Sequence, residues 1–390
     1  MNDRDEVRRV SILGSTGSIG SDTISVLQAT SLKYCVRAIT ANENVELLAQ
    51  QAKLLEAEFV VIGNKEKYSH LKKLLSGTKS RIGTGTEGVL EAASLETDWT
   101  MAAIVGAAGL KPILSSIRHG GTVALANKES LVCAGELLAS EAAKTGATLL
   151  PVDSEHNGVF QSFDFNNPES VDKIYLTASG GPFLDLSNDE LQHVTPKQAM
   201  KHPNWDMGPK ISVDSATMMN KALEVIEAFH LFPIDNSKIG VIIHPESIVH
   251  SMVSYCDGSF LAHLGNPDMQ IPIAYALSWP RRMSLEGPRL DLTQLETLTF
   301  RKASQKQFPA LRLADEVLQE GGAAPIIMNA ANEVAVKSFL QHKIPFLSIV
   351  KIVEATLGRI QYSSAENIEE ILSIDEETRR MAEDLIVALN

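Results

Sequence analysis

Two acidic residues, Asp153 and Glu155, stand in the run Val152-Asp153-Ser154-Glu155-His156-Asn157, where a strand-like stretch, Thr148 to Val152, ends. On a strand, residues i and i+2 share a face, so both carboxylates could point at one ligand. Taken alone, two solvated acids at a strand end is the simpler reading. The segment Asp214-Ser215-Ala216-Thr217-Met218-Met219-Asn220-Lys221-Ala222-Leu223-Glu224 carries more chemistry. Met219, Ala222, Leu223 and Ile226 form an apolar helical stripe, and Thr217, Asn220, Lys221 and Glu224 form the opposing face. Asp214 or Ser215 is placed to cap its start. The face offers a hydroxyl, an amide and an ammonium to an anion, with Glu224 roughly 5 to 6 Å further along the axis. That suits a phosphate at one end of a small sugar and a metal at the other. Asp153, Glu155 and Glu224 together would suit a hard cation such as Mg²⁺ or Mn²⁺ with positions open to substrate oxygens. The sequence does not establish that Glu224 joins the first two, and a solvated face with a Lys221–Glu224 pair is the plain alternative.

A second device is the run Gly14-Ser15-Thr16-Gly17-Ser18-Ile19-Gly20, which follows an apolar stretch and opens a helical one. Glycines let the backbone turn tightly and approach a pyrophosphate, and the helix N-terminus offers unpaired N–H groups. The spacing is GxxGxxG instead of the commoner GxGxxG, so the strand before and the helix after carry the assignment. NAD-binding folds place an acid at the end of the second strand to hold the ribose 2′-hydroxyl. Here that strand ends at Thr40, followed by Ala41 and Asn42, which favours NADP; Glu43 stands close by, and no arginine replaces it nearby. Ser179-Gly180-Gly181-Pro182 follows another strand candidate and could give hydroxyl and N–H donors to a phosphate, or be a strand-ending turn. In His202-Pro203-Asn204-Trp205-Asp206-Met207-Gly208-Pro209 the prolines and glycine forbid regular structure, yet Trp205 and Met207 are large and apolar. Such a loop is either a lid that excludes water or a loop packed against the body of the protein.

These groups need a frame. The first part alternates strand and helix: strands at Arg9–Leu13, Val36–Thr40, Phe59–Ile62, Ala102–Gly106, Thr122–Ala126 and Thr148–Val152, helices at Asp22–Ala29, Asn44–Leu55 and Ser130–Lys144. This pattern predicts an α/β fold with an N-terminal Rossmann-like parallel sheet covered on both faces. After Asp153 loops lengthen, with strands at Lys173–Thr177 and Ile239–Ile243 and a capping box of Ser187 and Glu190. We expect a central α/β catalytic domain and a C-terminal helical domain. The boundaries read as a nucleotide domain over 1–153, a catalytic domain over 154–285 with a lid at 202–209, a connector over 286–312 and helices over 313–390.

The chain of 390 residues, with 35 Lys and Arg against 48 Asp and Glu, has a formal charge of −13, which argues against nucleic-acid binding. Cys35, Cys133 and Cys256 have no zinc spacing and read as reduced, buried thiols. The N-terminal segment, with Asp3, Asp5 and Glu6, lacks the apolar core of a signal peptide, and no apolar run spans a bilayer. A cytoplasmic protein is expected.

Taken in order, GSTGSIG at Gly14, VGAAGL at Val105, LANKESLV at Leu125, VDSEHN at Val152, ASGGPF at Ala178, HPNWDMGPKISVDSATMMNKALEVIEA at His202, IHPESIVHSMV at Ile243 and NAANEVAV at Asn329 cover nearly the whole chain. In this order the chain resembles the 1-deoxy-D-xylulose 5-phosphate reductoisomerase family. The resemblance implies a cation (Mg²⁺ or Mn²⁺, with Co²⁺ a third choice) on Asp153, Glu155 and Glu224. It implies a sugar phosphate held by Ser179, Ser215, Asn220 and Lys221, with His202 nearby, Trp205 on the lid, and Ser154 and Lys128 at the sugar oxygens or metal-bound groups. Thr16, Gly17, Ser18, Ile19, Asn44, Asn127 and Glu129 match cofactor positions for NADPH, alongside Gly14 and Gly208. Lys128, Glu155, His202 and Trp205 are the implied catalytic set. The departure is at Ala41-Asn42-Glu43-Asn44, where family members often carry a small or basic residue instead of Glu43. The implied reaction polarises a substrate carbonyl by the metal, breaks and re-forms a carbon–carbon bond, and then reduces the new aldehyde with NADPH. Lys128, or water on the metal, would move protons, and a homodimer is the family expectation. An aspartate-semialdehyde dehydrogenase-like enzyme is disfavoured because no cysteine has a nucleophile's setting beside a histidine. A catalytically inactive nucleotide-binding sensor would show a broken carboxylate or phosphate set, and neither is broken.

Overall fold

A computed structural model describes residues 7–205, 207–360 and 364–389. Asp3, Asp5, Glu6 and Asp206 lie outside them. The chain forms two compact units: residues 1–130, 136–157 and 268–288 make the first, and 131–135, 158–267 and 289–390 the second.

The first unit is built on seven strands: β1 (Arg8–Leu13), β2 (Tyr34–Ala41), β3 (Phe59–Ile62), β4 (Arg81–Thr84), β5 (Trp99–Ala102), β6 (Thr122–Leu125) and β7 (Thr148–Pro151). They run parallel in the order β4-β3-β2-β1-β5-β6-β7. Strands β3 and β5 are buried at every position, the mark of a sheet covered on both faces. The chain leaves β1 for β2 on one side, and β5 lies on the other, so the crevice beyond the carboxyl end of β1 is the topological switch point where ligands bind.

Two expectations shift here. The strand expected over Ala102–Gly106 is β5 and ends at Ala102, because its anchor is the fully buried Trp99, while Val105 is 72% exposed past the sheet edge. The stretch 268–285, expected in the catalytic domain, belongs to the first unit. Its helix Gln270–Ser278 packs on β6, β7 and the Ser18–Ala29 helix, and Trp99 Nε1 donates to the Ala276 carbonyl at 3.0 Å.

The second unit has a mixed sheet of β8 (Val171–Ala178), β9 (Ile239–Ile243), β10 (Val249–Tyr255), β11 (Phe260–Leu264) and β12 (Arg301–Lys302), in the order β11-β10-β8-β9-β12. Only β8 and β9 pair in parallel. Ile174, Leu176 and Val253 from the sheet share one core with Leu223 and Ile226, with Leu313 and Val317, and with Met328, Phe339 and Ile386 further on. The C-terminal helices, Pro309–Glu320 through Ile368–Leu389, therefore close the same core as the sheet and do not build a separate one. Residues 284–300, which lead into β12, hold no regular element apart from one short turn at Leu292–Gln294, whereas the rest of the expected connector contains β12 and the start of the Pro309–Glu320 helix.

The cysteines are free thiols, but only Cys133 is buried; Cys35 is half-buried, and Cys256 is exposed in the turn after β10. The apolar flank of Cys256 belongs to the preceding strand. Among the described residues no helix is long and apolar enough to cross a membrane.

Candidate active site

In the first unit the glycine run leaves β1 and opens the Ser18–Ala29 helix. Gly14 has φ +90°, and a Cβ there would lie 2.5 Å from the Ala103 carbonyl oxygen. A Cβ on Gly20 would lie 2.3 Å from the Gly14 oxygen, so both positions admit only hydrogen. The turn is fastened from behind: Gly14 N and Ser15 N donate to the Thr40 carbonyl, and buried Ser15 and Gln51 exchange two hydrogen bonds of 2.8 and 2.9 Å. The helix has no side-chain cap and no acid in its first turn, and Gly17 and Ser18 are exposed. Its unpaired amides and positive dipole end thus face outward, a fit for a pyrophosphate.

At the end of β2, Asn44 caps the Val45–Leu55 helix by accepting from Leu47 N at 3.2 Å. Glu43 is neutralised: Lys67 Nζ lies 2.9 Å from its carboxylate and donates to its carbonyl at 2.7 Å, and Asn64 Nδ2 reaches both carboxylate oxygens. The Lys67 ammonium, and then Asn64, hold the Glu43 carboxyl below its ordinary range. Lys67 is the basic residue that a search close to Glu43 misses. Its only sequence signal is the Lys65-Glu66-Lys67 turn after the third strand.

Asn127 is buried and works as a clasp. Its Nδ2 donates to the carbonyls of Ile104 and Gly106, and its Oδ1 accepts from Ser130 N, capping the Lys128–Thr145 helix. The next residues, Lys128 and Glu129, are buried, and Lys128 Nζ lies 2.5 Å from Asp153 Oδ2. Asp153 follows β7 and its carbonyl accepts from Asn157 N, so it stands at the mouth of the Ser154–Ser162 helix. Glu155 is in the first turn of that helix and accepts from Ser154 Oγ at 2.7 Å. The two acids are therefore presented by a helix N-terminus, not by strand alternation.

In the second unit the turn after β8 carries Ser179, Gly180 at φ +86° and Gly181 at φ +71°. A Cβ on Gly181 would stand 2.8 Å from the Ser215 carbonyl oxygen, so the turn lies directly against the backbone of the Pro209–Thr217 helix. His202 joins the turn with Nε2 at 3.0 Å from Ser179 Oγ. The ring's Nδ1 accepts from both Asn204 N and Trp205 N, at 3.2 and 3.1 Å, so in the neutral ring the proton is on Nε2 and is donated to Ser179. Ser179 Oγ also accepts from Gly181 N at 3.1 Å, which leaves its own proton to be given away, as an anion requires. The loop beyond is tied down by Asn204 Nδ2, which donates to the Pro245 carbonyl and Ser247 Oγ, with half-buried Trp205 over the His250 ring at 6.2 Å.

The helical face expected over 217–224 is interrupted. Met218 takes a left-handed conformation, φ 62°, and divides the segment into helices Pro209–Thr217 and Met219–Leu231. Thr217 leaves the expected face: its hydroxyl donates back to the Val213 and Asp214 carbonyls and receives Met219 N. Asp214 is no cap either. It is fully buried, 2.9 Å from Lys210 Nζ, and accepts from Asn332 Nδ2 at 2.9 Å. Met219, Ala222, Leu223 and Ile226 do form the buried stripe. Lys221 and Glu224 are 3% and 1% exposed, paired with each other and with Asn220 on the Glu224 carboxylate, so the solvated-face alternative fails.

A doubly wound parallel sheet with a glycine turn at its switch point is the frame of a dinucleotide-dependent α/β enzyme, here carrying a second unit with a mixed sheet. Family models of the 1-deoxy-D-xylulose 5-phosphate reductoisomerase match residues 10–135, its C-terminal domain 149–232, and the DXP reductoisomerase C-terminal domain 264–381. The chain is 51% identical over 384 residues to the 1-deoxy-D-xylulose 5-phosphate reductoisomerase of Rhodospirillum centenum, covering 98% of this chain and 96% of that one. It is 50% identical to the enzyme of Zymomonas mobilis, covering 98% of each. The Zymomonas mobilis structure in complex with NADPH superposes with a TM-score of 0.93, 49% identity, and 98% and 99% coverage of the two chains. A DOX-P reductoisomerase structure with NADPH, fosmidomycin and magnesium gives a TM-score of 0.94 at 42% identity, with the same coverage. The chain belongs to the 1-deoxy-D-xylulose 5-phosphate reductoisomerase family.

Proposed function

We propose that the chain converts 1-deoxy-D-xylulose 5-phosphate to 2-C-methyl-D-erythritol 4-phosphate with NADPH and a divalent cation, a step of isoprenoid precursor synthesis. The observation that carries this is family membership over nearly the whole chain, whose sequence holds every expected phosphate and carboxylate residue. Structures of relatives hold NADPH and magnesium, and the local chemistry here suits both. The uncapped helix beyond Gly17 and the Gly14 turn suit the cofactor's pyrophosphate, with Thr16, Ser18 and Ile19 along it. Asp153 and Glu155 at a helix mouth, together with buried Glu224, are oxygen donors suited to Mg²⁺ or Mn²⁺.

When bound, the cation supplies Lewis acidity toward the substrate's carbonyl and hydroxyl oxygens. NADPH supplies the hydride. The chain's own groups do the rest. Ser179 gives its hydroxyl proton to the substrate phosphate, because His202 and Gly181 N occupy its lone pairs. Ser215 lies in the helix that the Gly181 turn packs against, and Asn220 and Lys221 follow one bend later in the chain. Lys128 Nζ, against Asp153, holds a proton beside the first of the carboxylates proposed to take the metal, and Ser154 orients Glu155. The 202–209 segment, fastened through Asn204, carries Trp205 as the cover that keeps water out.

We also read the protein as a cytoplasmic homodimer. Support comes from the free cysteines and from β11, a sheet-edge strand with Phe260, Leu261 and Leu264 exposed, the kind of edge a second copy would pair with. The test of function is product identity: the protein, 1-deoxy-D-xylulose 5-phosphate, NADPH and Mg²⁺ are incubated and the carbon skeleton followed by NMR. A branched 2-C-methyl tetritol phosphate is expected, and an unrearranged, merely reduced substrate would overturn the assignment.

A further inference from the structure

An acid just past the second strand of a dinucleotide fold accepts from the ribose 2′-hydroxyl and repels a 2′-phosphate. Glu43, two positions beyond the end of β2, is such an acid, yet the chain turns it to another use. The ladder between β2 and β3 continues past the sheet: Gly63 N donates to the Ala41 carbonyl at 2.7 Å and Asn64 N to the Asn42 carbonyl at 3.0 Å. A Cβ on Gly63 would lie 2.6 Å from Asn42 Oδ1, so the two turns are held side by side. From the second turn, Lys67 reaches back 24 residues to Glu43 and binds both its carbonyl and its carboxylate. Asn64 Nδ2 engages the same carboxylate. The glycine turn sits on the other side of β2, fastened to Thr40. Phosphate cradle, Asn42–Glu43 and Asn64–Lys67 thus form one row across the carboxyl ends of β1, β2 and β3.

We propose that Lys67 is the residue that selects a 2′-phosphorylated cofactor, cancelling the Glu43 charge and offering its ammonium to the 2′-phosphate. This rests on the NADPH reading above. An ammonium has three N–H donors, and two are directed at Glu43, so a third remains for a phosphate oxygen. The Lys67 and Glu43 side chains are 37% and 57% exposed, open to a ligand, and a pair so exposed is weakly held and readily shared. Selection by this route moves the basic residue from the β2 turn to the β3 turn. It accounts for a cofactor site that tolerates glutamate at the position where charge would otherwise favour a bare ribose.

The test uses calorimetric titration of the full chain with 2′-phospho-ADP-ribose and with ADP-ribose, which differ only in the 2′-phosphate and undergo no redox chemistry. The wild type is expected to bind the phosphorylated probe at least about tenfold more tightly, the effect of one charge-assisted contact. Lys67→Gln should abolish that preference while leaving ADP-ribose binding in place. Glu43→Gln should keep or enlarge the preference, and Lys72→Gln, the same charge change at an exposed position of the following Tyr68–Leu74 helix, should leave it as it was. Equal weakening of both probes by Lys67→Gln, or no change in either, would overturn the proposal. So would selective loss of ADP-ribose binding in Glu43→Gln, which would make Glu43 the ribose ligand. If the wild type bound neither probe, the cofactor reading itself would fall, and the proposal with it.

Discussion

Gly181 stands so close to Ser215 that a Cβ on the glycine would lie 2.8 Å from the serine's carbonyl oxygen, and its φ of +71° is one that L side chains avoid. The Ser179–Gly181 turn, which we propose holds the substrate phosphate, and the helix that faces it are fixed against each other by a missing side chain.

Gly181→Ala should therefore separate Ser179 from Ser215. The left-handed conformation alone costs a residue with a Cβ about 1–2 kcal/mol, and the clash adds to it. We expect KM for the sugar phosphate to rise roughly tenfold or more with a smaller change in kcat, since phosphate binding is remote from the reacting carbons. Steady-state kinetics on the variant would check this, and an unchanged KM would contradict it.

Lys128, held at 2.5 Å from Asp153, is a buried ammonium against one of the proposed metal ligands. Lys128→Met should lower kcat by roughly 10²- to 10⁴-fold, the range for a positioned acid or base. Mn²⁺ affinity, followed by electron paramagnetic resonance, should persist because the carboxylates remain. Undiminished turnover would leave proton transfer to water.

The Lys221–Glu224 pair is almost wholly buried. Removing the ammonium leaves the buried Glu224 carboxylate with Asn220 but without this opposite charge, so Lys221→Met should destabilise the fold by up to about 3–5 kcal/mol, and the double replacement by Met and Gln by much less. Urea unfolding of both variants distinguishes this from a loss of phosphate affinity alone, in which both would be as stable as the wild type.

At the far end of β1, Arg9 donates to Asp98 from its side chain and its backbone, at 2.7 to 3.2 Å, and this holds the Asp98 carboxyl below the usual aspartate range. A carboxylate whose folded pKa is depressed adds stability above its unfolded pKa of about 3.9, and loses it as pH falls through the lower folded value. Asp98→Asn should cost about 1 kcal/mol or less near neutrality, because both side chains are over a third exposed. The deficit should vanish in acid, as shown by unfolding midpoints taken across pH.

What the sequence made legible was whatever rests on local pattern. The glycine turn, the strand before it and the helix after it could be read because small residues at fixed spacing have one structural use there. The second unit was harder. The break at Met218 is a left-handed turn by a residue with no propensity for it, inside a segment of unbroken helical periodicity, so Thr217 was assigned to a face it does not share. Lys67 escaped because its partnership with Glu43 is made across two strands, a relation no linear spacing records. The placement of 268–288 in the first unit likewise depends on long-range packing, chiefly of the Gln270–Ser278 helix against Trp99 and its neighbours.

The most direct test of the central claim is the fall in NADPH absorbance when the protein meets 1-deoxy-D-xylulose 5-phosphate, with Mn²⁺, then with excess EDTA, and with NADH in parallel. Rapid oxidation of NADPH that stops with EDTA and resumes with added metal is expected, with much slower oxidation of NADH. Failure of the folded, metal-loaded protein to oxidise either nucleotide would contradict the claim and return the chain to a nucleotide-binding protein without this catalysis.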